Sequence, residues 1–207
     1  MNHKNMEPYL VPLGFHRTQT EVAKSRFIAS SNRAETADEA KAFIAQIRAE
    51  MPDASHHVYA FRAGFGQSVI EGMSDDGEPS GTSGPPVLAV LRGSGIGDLV
   101  MVITRYFGGT KLGTGGLVRA YTEAAHININ SMPTELKIEK RLLGIDVPYS
   151  LYEQVKRLIA AHQGVIQDET FMADVSIIVT FALKDVPAFT ADLTELSAGK
   201  IHPITFD

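Results

Sequence analysis

The feature that most limits how this chain can fold is a glycine-dense turn that follows directly after an apolar strand. Residues 99–107 are largely apolar and predict a buried β-strand. Five of the next nine residues are glycine, a density that lets the backbone turn sharply or approach another segment closely. Residues 115–127 then predict a helix with one apolar face, made of Leu117, Tyr121, Ala124 and Ala125. The fold must therefore accommodate a strand, a tight turn and a helix in succession.

The composition excludes several classes of protein and site. The 207 residues include no cysteine, which excludes disulfides, thiolate catalysis and cysteine-ligated zinc. The longest apolar runs, 87–91 and 99–103, are too short to span a bilayer. The first eight residues lack the apolar segment that is typical of a signal peptide. We therefore expect a cytoplasmic protein without a membrane partner, and the residues indicate no cofactor and no bound metal.

The net charge limits which partners the chain can bind. Lysine and arginine number 19 against 24 aspartates and glutamates, which gives a net charge of −5. Most of this negative charge falls in the last third of the chain. A protein that neutralises many phosphates is expected to be basic. Any contact with nucleic acid must therefore be local.

Residues 1–131 predict strands that alternate with helices. A strand is expected over residues 21–30, and a capping box from Thr36 to Glu39 begins a helix that Pro52 ends. Residues 55–63 and 67–73 are expected to pair as a hairpin through a turn at residues 64–66. Pro85 opens a short helix that reaches Arg92. The strand and the helix around the glycine turn complete this first domain.

Residues 132–207 predict a second domain, because residues 130–133 have the composition of a helix end followed by proline. Strands are expected at 140–147, 165–171, 173–183 and 201–206, with helices ended by Gly164 and Gly199. Ser150 with Glu153, and Asp185, are the expected helix caps. Alternation places one set of apolar side chains on a single face: Val175, Ile177, Val179 and Phe181. The order βαββαβ predicts a ferredoxin-like domain, so the fold class is α+β.

The segment from Gly84 to Gly113 resembles the signature of the IMPACT family. The resemblance lies in paired aliphatic residues, then Arg105, Tyr106 and Phe107, a Gly-Gly pair and a final Leu-Gly. Residues 74–79, 81–84 and 113–121 and the pair His56-His57 extend it over about two-thirds of the chain. With the second domain, the whole chain resembles bacterial members of the YigZ type.

The resemblance implies both a fold and a field of function. It implies an N-terminal α/β domain like domain IV of elongation factor G. It also implies a C-terminal domain like a ferredoxin-like domain of that factor. Translation-linked binding of RNA, or of a ribosome-associated factor, follows from it by analogy of fold. The resemblance does not indicate an enzymatic reaction.

The glycine turn at residues 108–116 is the candidate site for RNA or another anion. Backbone N–H groups at the start of a helix favour an anion, and they belong here to Thr114, Gly115 and Gly116. Lys111 lies in the turn, and Arg119 lies near the helix start, where a cation opposes the helix dipole. We expect both to converge with Arg105 as a small cationic patch. A glycine turn that serves packing alone is the equally supported alternative.

Two aromatic neighbours and one arginine extend this candidate site. Arg105, Tyr106 and Phe107 have the chemistry to stack on and hydrogen-bond single-stranded RNA. Phe107 alternatively belongs to the core, with Arg105 in a structural role. We favour a functional role for Arg105, because a charge at the end of an apolar strand is costly to bury.

An acidic loop is a second candidate site. Asp75, Asp76 and Glu78, together with His56 or His57, have the chemistry to bind a divalent ion or to act as acid and base. Their spacing is irregular, and aspartate and glycine are ordinary turn residues, so a structural loop is the favoured interpretation. One of the two histidines must face inward in a strand.

The sequence leaves three functions open. The favoured one is a translation-linked regulatory protein that binds RNA or the translation machinery through the cationic turn. The second is an enzyme or sensor for a small phosphorylated molecule, and the third is a protein-interaction module. The absence of a Walker loop, a Ser/His/Asp set or a metal-spacing motif disfavours an enzyme. The oligomeric state is left open.

Overall fold

The computed structural model describes residues 8–65 and 69–206. Contacts divide the chain into two compact units, of which the first is Tyr9–Lys137 and the second includes Ile138–Asp207. The first unit extends beyond residue 131 because a short strand there pairs antiparallel with the first strand of the chain. The expected boundary therefore falls before the last strand of this unit.

The first unit is built on a five-stranded antiparallel sheet. The order across the sheet is β2-β3-β6-β4-β5, and β1 and β7 form a separate two-stranded sheet. The bounds are β1 Tyr9–Pro12, β2 His16–Val22, β3 Ser25–Arg33, α1 Ala37–Glu50, β4 His56–Ala63, β5 Ile70–Ser74, α2 Gly84–Gly93, β6 Leu99–Tyr106, α3 Gly113–Ser131 and β7 Thr134–Lys137.

Helices cover both faces of this sheet. On one face α1 packs Phe43 and Ile47 against Val102 of β6. On the other face α2 and α3 pack Leu91 and Tyr121, among others, against the sheet. The central strand β6 is consequently buried on both sides from residue 99 to residue 105, which explains its continuous apolar sequence.

Several predicted elements are confirmed. The Thr36 hydroxyl accepts a hydrogen bond from the Glu39 N–H at 3.2 Å, and the Glu39 carboxylate accepts one from the Glu35 N–H. The predicted apolar face of α3 is buried, and β4 pairs with β5 as expected. Of the predicted hairpin, residues 66–68 lie outside the described residues.

The prediction of a single strand over residues 21–30 is wrong. The structure has a hairpin there, in which β2 turns into β3 at Ala23 and Lys24. Both turn residues adopt left-handed backbone, with φ of 48° and 67°. The turn was missed because neither residue is glycine, proline or asparagine, the residues that usually mark such turns.

The second unit has the predicted ferredoxin-like order. The strands form one antiparallel sheet in the order β11-β8-β10-β9. Val175, Ile177, Val179 and Phe181 are buried together on one face, as the alternation predicts. The bounds are β8 Lys140–Val147, α4 Tyr152–Ala161, β9 Val165–Phe171, β10 Val175–Ala182, α5 Val186–Leu196 and β11 Ile204–Phe206.

Of the two helix caps expected in this unit, the one at Ser150 is wrong, and the one at Asp185 is right in position but lacks the side-chain hydrogen bond within the described part of the chain. Helix α4 begins after Leu151 instead of Ser150, and Asp185 precedes α5 without a side-chain cap bond among the described residues. Leu151 and Asp185 have helical backbone, with ψ of −7° and −15°. A side-chain cap requires extended backbone, such as the ψ of 157° at Thr36.

Candidate functional site

A buried hydrogen-bond network lies at the end of β6. The Arg105 guanidinium donates to Glu78 Oε1 at 2.7 Å, and the Tyr121 hydroxyl donates to the same oxygen at 2.8 Å. Burial, and then the Glu78 carboxylate, raise the pKa of Tyr121, so its hydroxyl remains a donor. Glu78 therefore joins the acidic loop to both β6 and α3.

The same network extends to the glycine turn. Arg105 also donates to Ser25 Oγ at 3.4 Å, and the Gly108 N–H donates to that oxygen at 3.1 Å. A Cβ at Gly108 would overlap the backbone of Lys24, so only glycine allows this approach. The acidic loop and the glycine turn are therefore parts of one connected structure.

The structure corrects the expectation that Arg105 belongs to an exposed cationic patch. Arg105 is only 5% exposed, because its strand position faces α3 and its charge is paired with Glu78. Tyr106 is partly exposed, and its hydroxyl donates to Asp53 at 3.0 Å. Phe107 lies beyond the strand end and is 49% exposed, so it is not a core residue. The exposed aromatic at this site is thus Phe107.

The exposed part of the turn holds the remaining predicted residues. Lys111, Thr114, Gly115 and Arg119 are exposed, and Gly116 is half-buried. Helix α3 begins at Gly113, and no side chain among the described residues caps its first turn. Lys111 and Arg119 have no ion-pair partner within the described part of the chain. Arg119 lies with Val118, Thr122 and His126 at a shallow groove of about 540 Å³ on α3.

The acidic loop uses one of its carboxylates to hold its own backbone. Asp75 accepts hydrogen bonds from the N–H groups of Gly81, Ser83 and Gly84 at 2.8 to 3.0 Å. Burial alone would raise the pKa of Asp75, but these hydrogen bonds outweigh it and lower the pKa below its ordinary value. The Asp75 side chain therefore stabilises the backbone conformation of the loop.

The second aspartate binds residues outside the loop. Asp76 pairs with Arg48 of α1 and accepts the His57 backbone N–H at 2.6 Å. Its own carbonyl lies 2.8 Å from Nδ1 of His56. Among the described residues no group of three His, Cys, Asp or Glu side chains is arranged to hold a metal ion.

The two histidines have different environments. His57 is the inward-facing one, at 8% exposure, with Nδ1 3.1 Å from the Thr104 hydroxyl. Burial, followed by the charge of Arg48, lowers the pKa of His57, so its ring is neutral at pH 7. His56 is part-buried, with Nε2 3.9 Å from Glu78 Oε2. The prediction that one histidine faces inward is confirmed.

Known proteins show the same sequence pattern. The Impact N-terminal domain matches residues 23–129, and a domain of unknown function, DUF1949, matches residues 145–200. An IMPACT family member from Haemophilus influenzae is 39% identical over 95% of this chain and 96% of its own length. The chain belongs to the IMPACT family. The resemblance that the sequence suggested is confirmed.

Two further matches cover nearly the whole chain. The IMPACT family member YigZ of Escherichia coli is 36% identical over 98% of this chain and 100% of its own length. A solved crystal structure of a hypothetical protein, 36% identical, superposes with a TM-score of 0.70 over 98% of both chains. These matches confirm the YigZ-type relationship and the α+β fold.

Sequence reasoning missed two residues that lie near the IMPACT signature in the fold. Lys24 and Arg26 are exposed on the β2–β3 hairpin, and Arg26 lies 4.6 Å from the centre of the Tyr106 ring. Recognising the hairpin would have placed both cations beside the glycine turn, but its left-handed turn carries no sequence signal.

No helix within the described ranges is long and apolar enough to cross a membrane.

Proposed function

We propose that this protein is a cytoplasmic, translation-linked regulatory protein that binds RNA, or a ribosome-associated factor, through its glycine turn. The observation that carries the proposal is an exposed turn, anchored by a buried network, whose cation Lys111 has no ion-pair partner among the described residues. Lys137, by contrast, is partly buried and pairs with the carboxylates of Asp98 and Glu35.

The start of α3 supplies the second element of the proposed site. The N–H groups of Thr114, Gly115 and Gly116 point along the helix axis towards the turn, where the helix dipole favours an anion. The exposed Arg119 adds a cation on the same helix. A phosphate at the turn would be held by backbone N–H groups and by Lys111.

The charge balance makes the proposed contact small. The chain carries a net charge of −5, so a general electrostatic attraction to RNA is excluded. The fold that the family resemblance implies, shared with domain IV of elongation factor G, supports a partner in translation by analogy. We therefore expect a local contact to few phosphates.

A small phosphorylated molecule is the alternative ligand for the same turn. An enzyme of this kind would need free acid or base groups beside the phosphate. Asp75 and Asp76 instead hold the loop and its neighbours, which disfavours catalysis by the acidic loop. A sensor without catalysis, and a surface for a protein partner, are the other outcomes that the experiment must separate.

The test is fluorescence anisotropy with labelled RNA at several salt concentrations. Contact with about three phosphates predicts a slope near −2 for log K against log salt on a single strand. Lys111→Ala should weaken binding severalfold across sequences and reduce the slope by about 0.7. Lys41→Ala is the matched control, since Lys41 is an exposed lysine on α1, on the other face of the sheet.

Three results would contradict the proposal. The first is the absence of RNA binding at low salt, which would leave a protein partner as the better explanation. The second is a rise in melting temperature with mononucleotides or inorganic phosphate but not with RNA, which would favour the sensor. If the Lys111 and Lys41 substitutions change RNA affinity equally, the glycine turn is not part of the binding site.

A further inference from the structure

An exposed aromatic ring is held in a fixed place beside the glycine turn. Phe107 follows the last residue of β6, and its N–H donates to the Ser55 hydroxyl at 3.1 Å. Its ring centre lies 5.5 Å from the guanidinium carbon of Arg105, which is itself held by Glu78. The residue is nevertheless 49% exposed. One large apolar surface is therefore presented to solvent from an anchored position.

Cations from a second element lie at the same end of the sheet as this ring. The register of β3 with β6 pairs Arg26 with Tyr106 and Phe27 with Arg105. The hairpin turn that contains Lys24 lies against Gly108, so Lys24 belongs to the same end of the sheet as Phe107. Lys24 is exposed and has no ion-pair partner in the described ranges.

We propose that this surface binds unpaired nucleotides, with a base stacked on Phe107 and the neighbouring phosphates held by Lys24 and Lys111. The inference rests on the proposed function and specifies which nucleic acid the site takes. Lys24 and Lys111 belong to two different elements, the β2–β3 turn and the glycine turn, and these turns meet at Gly108, the residue after Phe107. A polyanion with flat apolar groups complements this combination of positive charge and an exposed ring.

Unpaired strands fit this surface better than a duplex. In a duplex the bases are stacked on one another, and their faces are closed to a protein side chain. A single strand offers each base face to an aromatic ring, with little dependence on sequence. The few cations also suit a short single-stranded segment rather than a helix with phosphates on both strands.

The experiment compares one RNA in two forms. Labelled single-stranded RNA of about ten nucleotides, and the same strand annealed to its complement, are titrated with the full-length protein by fluorescence anisotropy. We expect the single strand to bind at least tenfold more tightly than the duplex. Phe107→Leu should weaken single-strand binding by about tenfold and leave duplex binding unchanged. Phe107→Tyr, which keeps an aromatic face, should retain binding.

A matched control is available elsewhere on the same domain. Phe15 is 54% exposed, and the guanidinium of Arg17 lies 5.0 Å from its ring centre, so its surroundings resemble those of Phe107. Phe15→Leu should leave RNA binding unchanged. Lys24→Ala should weaken binding severalfold, whereas Lys41→Ala should not. A melting curve for each variant checks that the fold is retained.

The outcomes separate this inference from the proposed function. If wild type binds single strand and duplex equally, and Phe107→Leu has no effect, the inference is overturned while RNA binding through the turn stands. If wild type binds neither form at low salt, both are overturned. A tenfold loss in Phe107→Leu that Phe107→Tyr restores, together with no loss in Phe15→Leu, supports the stacking site.

Discussion

At the scale of single residues, Glu78 is the centre of the site. Its side chain is 3% exposed, and one of its oxygens accepts both the Arg105 guanidinium and the Tyr121 hydroxyl. A buried ion pair of this kind contributes little net stability compared with an apolar substitute. Removing one partner of the pair lowers the stability strongly, because the other charge is then left unpaired in a low-dielectric interior.

We predict that Arg105→Met destabilises the first unit by about 3–5 kcal/mol, because it leaves the buried Glu78 carboxylate without its cation. The double variant with Glu78→Gln should recover part of this loss, since the orphaned charge is then removed. Urea unfolding followed by circular dichroism measures both changes.

Arg119→Met is the matched control, because Arg119 is exposed and unpaired within the described chain; it should change the stability by less than about 0.5 kcal/mol. A loss below about 1 kcal/mol in Arg105→Met would show that Glu78 is hydrated or re-paired in the variant. That result would contradict the tightly closed network described above.

At the scale of elements, the site is formed where a hairpin, a loop and a helix meet the end of β6. The β2–β3 turn reaches the glycine turn at Gly108, the acidic loop reaches β6 at Arg105, and α3 is joined through Tyr121. Two glycines of the turn, Gly109 and Gly113, have positive φ of 87° and 69°. The turn therefore depends on glycine both for its shape and for its approach to the hairpin.

We predict opposite effects of alanine at two glycines of the same segment. Gly108→Ala should lower the melting temperature, because its Cβ would overlap the Lys24 backbone and push the hairpin away. Gly115→Ala should raise the stability by roughly 0.5–1 kcal/mol, since Gly115 lies in α3 with open space around it and no positive φ.

Thermal unfolding of the two variants and wild type is the measurement. If Gly108→Ala melts like wild type, the close approach of hairpin and turn is not maintained in solution. The proposed grouping of Lys24 with Lys111 would then lose its structural basis. Gly115→Ala serves as the control for the general effect of a methyl group in this segment.

At the scale of the whole molecule, β7 and Lys137 complete the first unit. Asp98 is 1% exposed and has left-handed backbone, with φ of 49°. Its carboxylate accepts from Lys137 Nζ at 2.6 Å, the Gly64 N–H at 2.7 Å and the Tyr9 hydroxyl at 2.9 Å. Burial alone would raise the pKa of Asp98, but these partners hold the pKa below its ordinary value. The last strand thus supplies the cation for a buried carboxylate.

We predict that a fragment of residues 1–138 melts cooperatively and at a higher temperature than a fragment of residues 1–131. The shorter fragment loses β7, the partner of β1, and leaves Asp98 without Lys137. Removing the partner of a buried charge lowers the free energy of unfolding by about 3 kcal/mol, which corresponds to a melting temperature lower by roughly 10 °C.

Differential scanning calorimetry of both fragments beside the full chain tests this prediction. Lys137→Met in the longer fragment isolates the ion pair from the strand pairing. Equal melting temperatures for the two fragments would support residue 131 as the end of an independently folding domain. A shorter fragment that fails to melt cooperatively would support residue 137 instead.

Local patterns in the sequence determined most of the elements. The capping box at Thr36, the period-two alternation of β10 and the apolar run of β6 each depend on neighbours a few residues away, and each is present as predicted. The signature from Gly84 to Gly113 was sufficient for the family. These features can be predicted from the sequence because one segment contains all the residues that produce them.

Only the tertiary structure decided which side chains face solvent at the site. Arg105 is buried because Glu78, 27 residues earlier in the chain, closes over it, and Phe107 is exposed because β6 ends one residue before it. Lys24 joins the site through the contact of its backbone with Gly108, far along the sequence. Contacts of this kind come from the pairing of distant strands and loops, so no local pattern of residues could have revealed them.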